Sequence, residues 1–171
     1  MDQNERLLGH DRWMSNLMYD AASKLDDSAL DQDFDIGHRT VRQTLDHIAV
    51  GIELWTSLMR GESEKWEPNP TDVETMRARQ TAAYDEFEAL ARTLIADGRL
   101  DETFTDAWGY SQSMGATILH VILHSHVHRS DLLHMFQRLG FNAFTEGDPQ
   151  EWEHMTGITP PFQTPTITAP A

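Results

Sequence analysis

The chain has 171 residues, 28 Asp plus Glu against 13 Lys plus Arg, and a formal net charge of −15. One domain with one core is the simplest reading of that length, and the acidity argues against a nucleic-acid partner, which needs a basic patch. There is no cysteine, which excludes disulfides, zinc–thiolate sites and a protein thiol nucleophile, so any metal must be held by histidine, carboxylate or water. No apolar run approaches the ~20 residues needed to cross a bilayer. The first residues, Met1-Asp-Gln-Asn-Glu-Arg6, are polar and lead into a helical pattern. We therefore expect no signal peptide, no membrane association and a cytoplasmic protein.

Residues 5–25 read as the first helix. Leu7, Met14, Leu17, Met18, Ala21 and Leu25 form its apolar stripe, with His10 in the same stripe and Trp13 beside it. Residues 26–39 read as a connection with a short turn near Leu30. The second helix is expected from Thr40, whose spacing to Gln43 suits a capping box. Val41, Leu45, Ile48, Ile52, Trp55 and Met59 repeat at alternating four and three, while His47, Leu54 and Leu58 form a second flank. Such a helix has two neighbours in a bundle.

Gly61 closes this helix, and the polar stretch 62–70 is long for a tight helical hairpin. The third helix is expected to start with a capping pair, Thr71 and Glu74, and to end at Asp97-Gly98. It carries no recognisable chemistry, and its charged residues read as a solvated face. Residues 99–112 fit no helix and are expected to be an extended hairpin or a loop over the bundle. The fourth helix runs from about Ser113 to Leu139 and ends at Gly140. Asp148 to Gly157 reads as one short helix, with Pro149 in its first turn. The Pro-rich end is expected to be extended, packed on the bundle or frayed. The chain thus divides into a bundle over 1–145 and a tail over 146–171.

The fourth helix holds the chemistry. In Leu119-His-Val-Ile-Leu-His-Ser-His-Val-His-Arg129, His120, His124 and His128 recur every four residues. Residues four apart lie about 40° round and roughly 6 Å up a helix, on one face. The core stripe of Met114, Ile118, Val121, Leu132, Met135 and Leu139 continues through Ser125 and His128, so this face looks inward. A buried histidine is hydrogen-bonded, watered or holding a metal. His124 and His128 are a half-site for a first-row divalent ion. A third ligand must come from another helix: His47 is one candidate, with a satisfied interior histidine as its other reading, and His10 competes with it. His120 reads as a pocket residue, His126 as facing elsewhere, and His38, His134 and His154 as ordinary surface or loop residues. Three histidines leave an open position, where water or a thiol is activated. Asp131, one turn past His128, and Glu53, six residues past His47, are candidate bases, and both also read as surface acids.

Three segments together resemble the DinB-like family of metalloenzymes, over most of the chain to about Gly140. They are His10-Asp-Arg-Trp-Met-Ser-Asn16, the second-helix segment Val41 to Trp55 with His47 after Thr44-Leu45-Asp46 and Trp55 eight residues later, and the last-helix segment Leu119 to Arg129. The resemblance implies an all-α four-helix bundle in up-down-down-up order, a metal triad of His47, His124 and His128, and a homodimer. It implies a divalent metal, zinc or nickel foremost, and a low-molecular-weight thiol as a co-substrate of a transferase or isomerase, or else water in a hydrolase. A small electrophilic substrate would enter a pocket lined by His10, Trp13, Trp55 and His120. A non-catalytic, metal-stabilised bundle is the alternative. The family often places Arg-Gly-Gln after the last ligand, whereas this chain has Arg129-Ser130-Asp131.

Overall fold

A computed structural model describes residues 1–62, 68–141 and 147–160. Four long helices carry the fold: α1 (Gln3–Ala22), α3 (Val41–Met59), α4 (Val73–Ala96) and α5 (Met114–Arg138). Between them lie the single turn α2 (Asp27–Leu30) and the strands β1 (Thr103–Thr105) and β2 (Ser111–Ser113), and α6 (Pro149–Met155) follows.

Each helix starts at a side chain that accepts a free backbone N–H of the first turn. The caps are Asp2, Asp26, Thr40, Asp72, Ser113 and Asp148. Thr40 accepts from Gln43 as the sequence suggests. The third long helix is capped differently from expectation: Asp72, not Thr71, accepts from Thr75. A carboxylate at that place also meets the positive end of the helix dipole. The first helix ends at Ala22, short of Leu25, because Lys24 and Leu25 turn back onto Ala21 and Ala22 with tighter i→i−3 bonds.

Side-chain pairs between helices fix their directions. Along α1 and α4 the partners run oppositely, from Glu5–Arg92 through Arg12–Glu88 to Asp20–Arg77. Between α3 and α4 they run together: Arg42 donates to the Thr71 carbonyl, Arg79 to Asp46 and Glu53, and Arg60 to Glu86. Between α3 and α5 they run oppositely, His47 meeting His124 and His128 while Trp55 meets His120. This is an all-α four-helix bundle in up-down-down-up order. The parallel α3 and α4 explain the long 60–72 connection, which must return along the bundle before α4 begins.

The core is shared by all four helices. Met18, Tyr19, Leu45, Ile48, Met76, Phe87, Leu94, Leu132, Met135 and Phe136 are almost wholly removed from water, which is the main stabilising term of such a fold. A buried polar network crosses it. The Arg129 guanidinium, 2 % exposed, donates to Asp11 Oδ1 at 2.5 Å and to Ser15 Oγ at 3.1 Å. Tyr84 donates to the other Asp11 oxygen at 2.8 Å. This network joins α1, α4 and α5, and it makes Tyr84 a polar partner on a helix that the sequence pattern reads as carrying only a solvated polar face.

The stretch 99–112 contains the hairpin, with Thr103 opposite Ser113 and Thr105 opposite Ser111. Its turn is held by Asp106, which accepts from the backbone of Trp108 and Tyr110 and from the Gln112 amide. The short helix α6 packs on α1, where a Cβ on Gly9 would stand 2.7 Å from the Trp152 ring. The expectation for the final Pro-rich segment lies outside the described residues. Among the described residues, no helix is long and apolar enough to cross a membrane.

Candidate metal centre

α3 and α5 cross as antiparallel neighbours and bring His47 against His124 and His128. Ring centroids lie 4.8 Å apart for His47–His124, 4.6 Å for His47–His128 and 4.6 Å for His124–His128. The Nε2 atoms of His47 and His124 are 2.9 Å apart. The close approach of α5 depends on Gly51, above which the His124 ring lies with no room for a side chain.

A fourth imidazole joins them from the loop before α3. His38 stacks on His47 with centroids 3.6 Å apart and lies 4.9 Å from the His128 ring. One ring nitrogen each from His38, His47 and His128 falls within a mutual 4.8 Å, so these three are themselves a group able to hold a metal ion. His38 is therefore not the ordinary loop residue that its sequence context suggests. Among the described residues, His38, His47 and His128 are the set whose ring nitrogens lie together, while His124 brings its Nε2 to His47 and its ring, not a nitrogen, close to His128. His124 projects from a rigid helix and points a nitrogen at His47. His38 lies nearly parallel to His47, at 26°, and its lone pair converges with that of His47 only if the ring turns.

The loop is shaped to deliver His38. Asp35, Gly37 and Arg39 all take positive φ angles, 57°, 48° and 72°, a region that side chains other than Gly, Asn and Asp rarely adopt. The backbone closes from Phe34 N–H to the Arg39 carbonyl at 2.8 Å. Gly37 lies against Asp131, where a Cβ would come 2.4 Å from the carboxylate.

Asp131 itself accepts from His128 Nδ1 at 3.3 Å. This is where a carboxylate fixes the tautomer of a ligating histidine and leaves Nε2 free. Asp131 thus has the place of a carboxylate that orients His128, and its charge also reaches His38. Glu53 is elsewhere: both of its oxygens accept from Arg79, at 2.7 and 2.6 Å. That pairing opposes the role of proton acceptor at the cluster.

Trp55 and His120 extend the imidazole group along α5. Their rings are 4.9 Å apart, and His120 lies 5.6 Å from His124. Trp108 of the hairpin turn comes within 6.0 Å of Trp55. His10 and Trp13 are separate from this group. The His10 Nε2–H donates to the Gly147 carbonyl at 2.6 Å, and its ring packs between Trp13 and Trp152 where α6 covers α1. His10 is thus not the third ligand, because its ring nitrogen is turned toward the chain's tail.

The electrostatics keep His47 and His124 neutral. Burial, and then the neighbouring His38, His124 and His128, push His47 down to about 3. Burial and then His128, His120 and His38 bring His124 to about 4. Burial also lowers His38 and His120. Neutral imidazoles carry the lone pairs that a cation requires. For two nitrogens on one tetrahedral zinc, 2.0–2.1 Å bonds imply a separation of about 3.3 Å; the 2.9 Å between the His47 and His124 Nε2 atoms is near that spacing, while the nitrogens of His38, His47 and His128, within 4.8 Å of one another, would have to draw together on an ion. A cleft of about 470 Å³ opens beside them, lined by Gly37, His38, Arg39, His47, Val50, Pro68 and Pro70 among others.

The DinB family model matches residues 1–148. The chain belongs to the DinB family. A crystal structure from Exiguobacterium sibiricum 255-15, provisionally assigned to the same family, superposes with a TM-score of 0.62 over 86 % of this chain and 99 % of that one, at 18 % identity. That likeness establishes the shared fold. No curated protein matches the sequence. In this DinB protein His47, His124 and His128 stand on α3 and α5, two of the helices that carry the sequence motifs, and His38 joins them from the loop before α3.

Proposed function

We propose that this DinB protein is a metal-dependent enzyme that uses a divalent ion on His47, His124 and His128 to activate a small thiol, or water, against a small electrophile. The observation that carries this reading is the convergence of imidazoles from two long helices beside an accessible cleft. Zinc or nickel suits an all-imidazole donor set. When bound, such an ion supplies Lewis acidity that favours the deprotonated form of a thiol or a water molecule. The protein's own part is orientation. Asp131 holds the His128 ring, and Gly51 admits the His124 ring against α3. The cleft side gives a substrate its approach, and Trp55 and His120 supply aromatic surface beside His124.

The test is elemental analysis of protein purified without a histidine tag or nickel resin, followed by assay. The wild type should carry one divalent ion per chain, and His47→Ala, His124→Ala and His128→Ala should each lose it. Full metal occupancy in any of the three would remove that residue from the triad. The loaded protein should then turn over a model electrophile with glutathione, bacillithiol or mycothiol for the transferase version, or hydrolyse esters or amides without a thiol.

A second reading is a metal-stabilised bundle that binds a small molecule without turnover. The fourth imidazole supports it, because shells closed by four protein ligands are usually structural. A metal-loaded protein inert toward all of these substrates would favour it. We also propose a homodimer. The supporting feature is a stripe on α5 of Leu119, Leu123 and Val127, which are 49, 59 and 57 % exposed at four-residue spacing and unlike the charged face of an ordinary surface helix.

A further inference from the structure

We propose that His38 is a fourth, displaceable ligand of the ion held by His47, His124 and His128, and that a substrate entering through the cleft binds by taking its place. The inference rests on the metal-dependent reading above and adds to it a resting shell that is closed.

Three placements support this. First, a His38 nitrogen already lies within 4.8 Å of nitrogens on His47 and His128, which puts it in the group able to share one ion with them. Second, the loop's contacts aim it at the cluster. Its left-handed residues on either side of His38, and the absence of a side chain at Gly37 against Asp131, press the loop onto the same carboxylate that orients His128. The two histidines are therefore positioned through a common neighbour. Third, His38 differs from the other three in its mounting. His47, His124 and His128 project from long helices, whereas His38 sits on a loop and lines the cleft together with Gly37, Arg39 and Pro68. His47 lines the same cleft and His124 and His128 do not, so a molecule arriving from that side meets the loop-borne His38 together with His47 and ahead of the two α5 rings.

The exchange needs no redox partner. One metal–nitrogen bond to His38 breaks, one bond from the ion to the entering donor atom forms, and His38 leaves as a neutral imidazole into the cleft. A thiol that binds as thiolate gives up its proton at this step, and the freed His38 nitrogen is the adjacent acceptor for it.

Cobalt(II)-loaded, untagged protein tests the proposal. X-ray absorption should count four imidazoles in the wild type and three plus a solvent oxygen in His38→Ala and His38→Gln. Chelator competition should show metal affinity at least tenfold weaker in both variants, and azide should perturb the visible cobalt spectrum at lower concentration than in the wild type. Using two variants separates a lost ligand from a disturbed loop, and circular dichroism confirms that each is folded. Three imidazoles in the wild type, with unchanged affinity and azide response in both variants, would overturn the proposal while leaving the triad intact. Full metal retention in His47→Ala or His124→Ala, or a wild type that binds no metal, would overturn the triad and this proposal with it.

Discussion

Gly51 on α3 lies against the ring of His124 on α5: a Cβ at position 51 would stand 2.9 Å from Cε1 and 3.2 Å from Nδ1 of that imidazole. The helix therefore accepts a glycine in its middle, at a propensity cost of about 1 kcal/mol relative to alanine, where the ring must approach its backbone. Gly51→Ala should favour the helix while pushing His124 off the position from which it faces His47. Functional groups misplaced by more than about 0.5 Å lose much of their effect. Metal affinity should fall about tenfold or more by chelator competition, with little change in the urea midpoint of the metal-free protein. Unchanged affinity would mean that His124 is not held where the ion needs it.

Asp131 and His128 make a separable claim. A carboxylate that only orients a ligand contributes roughly 10–100-fold to metal affinity. Asp131→Asn keeps an acceptor oxygen but loses the charge, so it should weaken binding within that range without abolishing it. Gly37→Ala should act in the same direction, because its methyl would displace the Asp131 carboxylate and the positive φ strains any side chain. If Asp131→Asn leaves affinity intact but removes turnover, Asp131 is a base after all.

The imidazole cluster should also make the metal-free protein acid-sensitive. In the unfolded chain a histidine takes up a proton near 6.5, whereas folded His47 stays neutral to about 3 and His124 to about 4. Between those values the unfolded state binds more protons, so stability falls as pH drops from about 6.5 toward 3 and is fully present above 6.5. Urea midpoints should decline from pH 7 to pH 5, a range above the ordinary titration of carboxylates. In His47→Gln/His124→Gln that decline should be much shallower. An equally steep decline in the double variant would place the sensitivity elsewhere.

The exposed stripe on α5 gives a prediction about assembly. Leu123 is 59 % exposed between Leu119 and Val127. Leu123→Glu places a charge in the centre of that surface, where a dimer would bury it at a cost of several kcal/mol. Light scattering should show a dimer for the wild type and a monomer for the variant, with metal content unchanged. A monomeric wild type would end this reading.

The sequence showed the four long helices and the inward-looking face of α5, because those follow from three-and-four periodicity and local caps, whereas their up-down-down-up order was implied by the family resemblance. The hairpin over 99–112 was legible only as an absence of helical pattern. Thr71 read as a cap because its spacing to Glu74 fits, but Asp72 has the same spacing to Thr75, and a local rule does not choose between them. His38 was not legible as a cluster member. Its approach to His47, nine residues later, depends on a run of left-handed backbone that only partly declares itself, through Gly37; Asp35 and Arg39 give no such warning. His10 failed in the opposite way. It lies on the core stripe of α1, but α6 and Gly147 come from far along the chain to occupy it. Asp11 and Arg129 were hidden for a related reason, since charged residues are usually exposed and their pairing joins positions 118 residues apart.

That pair supports the last prediction. Asp11 is 0 % and Arg129 2 % exposed, and burial pushes the Asp11 carboxyl up while Arg129 and Tyr84 pull it down. Removing one partner of a buried pair leaves the other charge uncompensated, at a cost of about 3–5 kcal/mol, whereas replacing both with apolar groups is often close to neutral. Arg129→Met should therefore destabilise the protein by an amount in that range in urea titrations. Asp11→Leu/Arg129→Met should recover much of the loss, since the two positions are in contact and their effects do not add. Arg129 adjoins His128 in sequence, so its pairing with Asp11 is placed to bear on the rotation of α5 that turns His124 and His128 toward α3. The double variant separates the two roles: recovered stability with weakened metal binding would show that the ion pair sets the helix's rotation, and recovered stability with full metal affinity would confine it to anchoring the core.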